Sequence, residues 1–256
     1  MLLPRTVLLN LRRKFSDSSG QLTVASLCNE ENQIKCLENM ISASKKTTIK
    51  LHPSTKLASV LIPIVNCDKP HDEPSLLYTL RSHKMRKHVN QVSFPGGILE
   101  EHDQSHIDCA LRETEEEIGI KRDQVFVWGE THLVHLRNAP AIMPVIGMVN
   151  NYNSDQLKLN EQEVDKVFTV PISVLMAQKR HTQFRLVPRN VRNISDITTI
   201  SAAYSIPVFT ISEKSSSEES LPRIWGITAI LTHLFLQSLL PAQIYDRQIP
   251  FIKKYK

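Results

Sequence analysis

The 256-residue chain has four cysteines, at 28, 36, 67 and 109, and no C-x-x-C pair. That excludes a disulfide framework and a Cys-based zinc site, and a reducing compartment fits. No G-x-S-x-G elbow or G-x-x-x-x-G-K-[ST] loop occurs, which argues against Ser-hydrolase and Walker-type chemistry. Aromatics make up 6% and no basic patch interleaves with them, so nucleic acid is not an expected partner. His132-x-x-His135 lacks a third ligand nearby in sequence, so no zinc is expected there. The one long uncharged run, 224–240, falls short of the ~20 residues a membrane span needs. It contains Thr228, Thr232, His233, Gln237 and Ser238 and stops at Pro241, so a largely buried helix is expected instead of a span.

The remaining composition is ordinary: 41% apolar and 22% charged residues exclude a disordered tail protein and allow one large domain or two small ones. The net charge of +5 is concentrated at the front. Residues 1–16 hold Arg5, Arg12, Arg13 and Lys14 and no acid, leaving 27 basic against 26 acidic residues elsewhere. An Arg-rich, Ser-containing, acid-free start with interspersed Leu reads as a mitochondrial transit peptide, with the matrix as destination. The C-terminal Lys253-Lys254-Tyr255-Lys256 lacks the Ser-Lys-Leu peroxisomal address.

Residues 17–55 read as an N-terminal extension with a helix near 27–43 and a polar run at 44–50. A core of residues 56–245 follows, with 246–256 as a tail. Strands are expected near 57–65, 76–80, 91–94, 125–128, 142–149, 167–170 and 203–211, with a short helix at 173–178. The stretch carrying Lys179, Arg180, Arg185, Arg189 and Arg192 reads as a solvated basic loop, with a phosphate-binding or partner role as the alternative, and 212–220 as a polar loop. No internal repeat is visible, and the irregular alternation of strands and helices predicts an α/β or α+β domain.

Three of the seven glycines fall between residues 96 and 119, and the chemistry lies there. Gly96-Gly97 permits a tight loop and close backbone approach. Asp103 or Ser105 can cap a following helix, and Gly119 suits the position past its end. Ile107, Ala110, Leu111, Thr114 and Ile118 recur at helical spacing and predict one buried face. Glu113, Glu116 and Glu117, at i, i+3 and i+4, converge on another face, where like charges cost the helix about 0.2–0.5 kcal/mol per pair. A hard divalent cation compensates such repulsion directly. A solvated acidic face is the plain alternative.

With Arg112 ahead of them, these residues resemble the Nudix box, G-x5-E-x7-R-E-U-x-E-E-x-G-U with U aliphatic. Gly97, Arg112, Glu113, Glu116, Glu117, Gly119 and Ile120 match. Asp103 replaces the first Glu, one extra residue precedes Arg112, and Thr114 stands at the first U. Upstream, Leu76-Leu77-Tyr78-Thr79-Leu80-Arg81-Ser82, Arg86, His88, Gln91-Val92 and Phe94-Pro95-Gly96-Gly97 are similar to the coenzyme A diphosphatase branch of the family. Downstream, Glu163 to Phe168 and Arg223 to Ala229 are similar to the same branch. Asn90 departs from its pattern, which has Gly there.

The resemblance implies an α/β/α sandwich with a mixed sheet, the box forming loop–helix–loop, and Mg²⁺- or Mn²⁺-dependent hydrolysis. The substrate would be coenzyme A or its thioesters. The products would be adenosine 3′,5′-bisphosphate and 4′-phosphopantetheine or its acylated form. It assigns metal binding to Glu113, Glu116 and Glu117, with a backbone oxygen from the Gly97 region. Arg112 would orient a carboxylate, and Glu163 is a candidate general base. Arg81, Arg86 and His88, with Gly96 and Gly97, are candidates for contacting the substrate's phosphates, since Arg suits bidentate phosphate recognition. A Nudix hydrolase of ADP-ribose or oxidised dNTPs, and a non-catalytic Nudix binding module, are the competing readings. Oligomeric state is not readable from the sequence.

Overall fold

A computed structural model describes residues 23–44, 51–66, 73–85, 89–135, 139–185, 203–211 and 222–245. Arg86, His88, Arg189, Arg192 and the transit-like segment lie outside the described residues. Among those described, eight strands form one mixed sheet whose main path runs β3-β2-β1-β7-β5. They are β1 (Leu57–Asn66), β2 (Pro74–Arg81), β3 (Val92–Ser93), β4 (Gly96–Ile98), β5 (Val125–Glu130), β6 (Val134–His135), β7 (Ala141–Val149) and β8 (Val164–Pro171). β1 and β7 are parallel, and every other pair is antiparallel.

Period-2 alternation gives the sheet two apolar faces. Ile62 and Ile64 of β1, Leu76 and Tyr78 of β2 and Ile146 of β7 enter one core, while Leu61, Val65, Leu77, Val145 and Val149 enter the other. The first core is covered by α2 (Glu30–Ser44), which follows the single turn α1 (Val24–Leu27), and by α5 (Gly226–Leu239). The second is covered by α3 (His106–Ile118). This is the expected α/β/α sandwich. The helix of the N-terminal extension is part of it, because Cys36 and Met40 are buried in the same core as Phe235 and Leu236. The uncharged run 224–240 is that buried α5, and no described helix is long and apolar enough to cross a membrane.

Two features differ from the sequence expectation. β1 and β2 pair only where residues 64–66 face 74–76. Beyond that point, residues 92–98 are inserted between them, β3 against β2 and β4 against β1. Gly96-Gly97 is therefore strand, not loop. The basic stretch expected as a solvated loop also forms a strand, β9 (Lys179–Arg185), which follows α4 (Ile172–Gln178) and pairs with β10 (Ala203–Phe209). Neither insertion nor pairing leaves a local signature, because both depend on partners distant in sequence.

The inserted segment is held from the α5 side. Tyr78 stacks on Phe94 at 4.8 Å between ring centroids and on Phe168 at 5.7 Å. Its hydroxyl lies 3.0 Å from Thr232 Oγ1, and Thr228 Oγ1 donates to the Val92 carbonyl at 2.9 Å. A buried hydroxyl needs such a partner, so these polar contacts fix where β3, and hence Gly96-Gly97, can sit. Just upstream, Asn90 adopts φ +54°, the left-handed region that Asn tolerates best after Gly. Asn is thus compatible with the left-handed backbone that this position adopts.

Candidate active site

α3 starts at Ser105, whose Oγ accepts the Asp108 N–H at 3.0 Å. It ends at Gly119, whose φ of +77° is readily adopted only by a residue without Cβ. Burial of Ala110, Leu111 and Ile118 pins the helix to the sheet, at roughly 1.5–3 kcal/mol for each large side chain. Asp103 is not the cap. Its side chain is fully buried and takes Arg112 Nε on Oδ1 at 2.8 Å and Nη2 on Oδ2 at 2.9 Å, with the Glu100 N–H also on Oδ2. The Arg112 guanidinium thereby holds the Asp103 carboxyl well below the usual carboxylate range.

Arg112 Nη1 also donates to Glu113 Oε1 and to Glu116 Oε2, each at 3.0 Å. The glutamates accordingly separate. Glu116 is turned to solvent beside Arg112, with 56% of its side chain exposed. Glu113 and Glu117 turn inward and meet Glu163, one oxygen from each lying within 4.8 Å of the others. Convergence of Glu113, Glu116 and Glu117, expected from spacing alone, thus becomes convergence of Glu113, Glu117 and Glu163. The structure brings Glu163 to the helix because residues 158–160 satisfy its last carbonyls. Lys158 N–H donates to Ile118 O at 3.1 Å, and Asn160 N–H donates to Glu117 O at 2.9 Å. No spacing rule in the sequence points to this contact.

Gly97 is packed against the same group: a Cβ there would overlap the Glu113 carboxylate. Its carbonyl lies 3.8 Å from Cys109 Sγ, within the buried underside of the helix. Glu117 is 3% exposed, and its Oε2 has no hydrogen-bond partner among the described residues. Burial pushes its pKa up to about 8, opposed by the Arg81 charge and reinforced by Glu113 and Glu163. Burial likewise raises Glu113, against the pull of Arg112. Arg81 stands at a bulge where β2 shifts register against β8, and its Nε is buried without a partner among the described residues. The next residues are fixed by Asp165, whose carboxylate accepts Ser82 Oγ at 2.8 Å and the His83 N–H at 2.9 Å.

Three clustered carboxylates, one with an unsatisfied buried oxygen, are costly when empty and fit a hard divalent cation. The NUDIX domain family profile matches residues 55–189, a span containing Gly97, Arg112 and all three clustered glutamates. The chain belongs to the Nudix family. As a Nudix hydrolase it is an enzyme, and Nudix hydrolases generally need divalent metal ions. It is 32% identical over 197 residues to mitochondrial coenzyme A diphosphatase NUDT8 of Mus musculus, covering 77% of this chain and 84% of the relative. It is 31% identical over 218 residues to the Homo sapiens protein of the same name, covering 85% and 82% respectively. An uncharacterized Nudix hydrolase, NudL, of Photorhabdus laumondii is 40% identical over 124 residues, 48% of this chain and 63% of that one.

Proposed function

We propose that this Nudix hydrolase cleaves the diphosphate of coenzyme A or acyl-coenzyme A. The products would be adenosine 3′,5′-bisphosphate and 4′-phosphopantetheine or its acylated form. Similarity to two coenzyme A diphosphatases along more than three quarters of the chain supports the substrate, and the mitochondrial location that both relatives' names carry supports the same location for this chain. The observation that carries the chemistry is the carboxylate triplet Glu113, Glu117 and Glu163.

Those three residues would hold Mg²⁺ or Mn²⁺, which supplies charge neutralisation at the diphosphate and lowers the pKa of a coordinated water. The protein's own contribution is placement. Arg112 fixes Glu113 while its Asp103 clamp keeps the guanidinium from swinging into the site. Gly97 lets the β4 backbone lie against Glu113. Arg81, which has no partner at Nε among the described residues and acts electrostatically on Glu117, would meet an anionic phosphate oxygen. Arg86 and His88 remain proposed phosphate contacts on sequence grounds.

The test is product analysis after incubation with coenzyme A, acetyl-coenzyme A and ADP-ribose side by side, with Mg²⁺ and with Mn²⁺. Release of adenosine 3′,5′-bisphosphate from coenzyme A or its thioester is expected. Turnover of ADP-ribose without coenzyme A cleavage would overturn the substrate assignment. For the location, sequencing the N-terminus of the protein isolated from cells should find Met1 absent, and an intact Met1 would count against import by a cleaved leader.

A further inference from the structure

A cavity of about 470 Å³ opens at the start of β1, lined by His52, Ser54, Thr55, Lys56 and His135, with Ala139 and Pro140 as its apolar wall. Among the described residues, no carboxylate lines it. Lys56 takes part in no ion pair among the described residues. His52 Nδ1 accepts the Ser54 N–H at 3.3 Å and lies 2.7 Å from Ser54 Oγ. That contact sets the tautomer and leaves Nε2 as the ring's donor. His135 lines it too, and its Nδ1 is buried with no hydrogen-bond partner among the described residues. One ammonium, two imidazoles and the Thr55 hydroxyl line one space, with no acid among the described residues, and make a donor-rich, positively biased pocket. Its chemistry suits a compact oxyanion.

The pocket shares an end of the sheet with the carboxylate cluster. Ser59 of β1 pairs with Gly97, and the Leu99 N–H donates to Leu57 O. Lys56 precedes Ser59 by three residues, about 10 Å at the usual strand rise. The neighbouring wall comes from β6 and the approach to β7, where His135 pairs with Ala141.

We propose that this cavity is a phosphate-monoester subsite, with Lys56 and His135 as its principal contacts, receiving a substrate phosphate that is not part of the scissile diphosphate. The proposal deepens the functional reading above and rests on it: in coenzyme A that group is the 3′-phosphate of the ribose. The subsite would make the enzyme select coenzyme A over its analogue lacking the 3′-phosphate.

The experiment compares coenzyme A with dephospho-coenzyme A in the wild-type enzyme and in Lys56→Ala and His135→Gln. Each variant is expected to raise KM for coenzyme A about tenfold, the loss of one charge-assisted hydrogen bond, with kcat retained. Dephospho-coenzyme A kinetics should not change. Equal effects on both substrates, or none on either, overturn the subsite. Binding is read separately from the His135 side-chain NMR resonances on titration with inorganic phosphate and with adenosine 3′,5′-bisphosphate. Saturable shifts that weaken in Lys56→Ala are expected, and shifts that are absent or unchanged in the variant overturn the proposal. Should the wild type hydrolyse neither coenzyme A compound, the substrate reading fails while the titration still decides the pocket. A response to inorganic phosphate but not to the nucleotide would overturn the link to substrate.

Discussion

Arg112 grips Asp103 through two parallel hydrogen bonds, Nε to Oδ1 at 2.8 Å and Nη2 to Oδ2 at 2.9 Å, with the Asp103 side chain fully buried. The same guanidinium fixes Glu113 from its remaining nitrogen, so the loop before the helix and the carboxylate inside the site are one rigid unit. A planar fork with five donors is needed to do both.

Breaking that grip should damage stability before chemistry. Asp103→Asn leaves Arg112 without its buried counter-charge and should cost about 3 kcal/mol, read by urea unfolding. Asp103 is depressed in the fold, so its contribution is present above the unfolded value near pH 4 and is lost as pH falls below it. The wild type should therefore lose stability on acidification below about pH 4 more steeply than Asp103→Asn. Parallel acid profiles would refute this.

Glu117 works in the opposite sense. Its pKa is raised by burial from an ordinary 4.5 to about 8, so in metal-free protein its destabilising effect is absent below 4.5 and grows as pH rises toward 8. Chelated Glu117→Gln should be more stable than chelated wild type at pH 8, by on the order of 1 kcal/mol or a few °C in Tm. Saturating Mg²⁺ should raise the Tm of the wild type and not that of the variant. Turnover in Glu117→Gln should fall at least about 100-fold. A variant that keeps activity would remove Glu117 from the metal set.

Glu163 and Glu116 should behave differently despite equal charge. Glu163→Gln is expected to weaken the apparent Mg²⁺ or Mn²⁺ affinity about 10–100-fold, because its oxygen lies within 4.8 Å of those of Glu113 and Glu117. Glu116 is exposed and paired with Arg112, where an ion pair is worth about 0–1 kcal/mol, so Glu116→Gln should change affinity only severalfold. Metal titrations of activity and of Tm give the ranking, and the reverse order would reject the Glu163 assignment.

Gly97→Ala places a methyl group in the Glu113 carboxylate. Glu113 must then move, and a displacement on the order of 1 Å should lower kcat/KM about 100-fold with the fold retained by circular dichroism. Activity within twofold of wild type would show that Glu113 has room to relocate.

Much of this site is local and so is written in the sequence. The run from Arg112 to Ile120 fixes a helix, its buried face, its carboxylates and its glycine stop, because each depends only on neighbours within one or two turns. The apolar run 224–240 likewise declares a buried helix. The strand made by Lys179–Arg185 was not legible, since a polar segment becomes strand only when a partner such as Ala203–Phe209 supplies its hydrogen bonds.

Sequence alone determined which acids this helix carries and that Arg112 stands among them. Tertiary structure decided which of them share a site. A helix fixes the angle between Glu113, Glu116 and Glu117, but the choice between solvent and interior depends on what packs beside each. Glu116 stays at the surface beside Arg112, and the carbonyls at the end of the helix bind residues 158–160, carrying Glu163 inward. The metal-binding chemistry proposed here arises from that long-range closure, because burial and mutual repulsion of carboxylates exist only once distant segments are brought together.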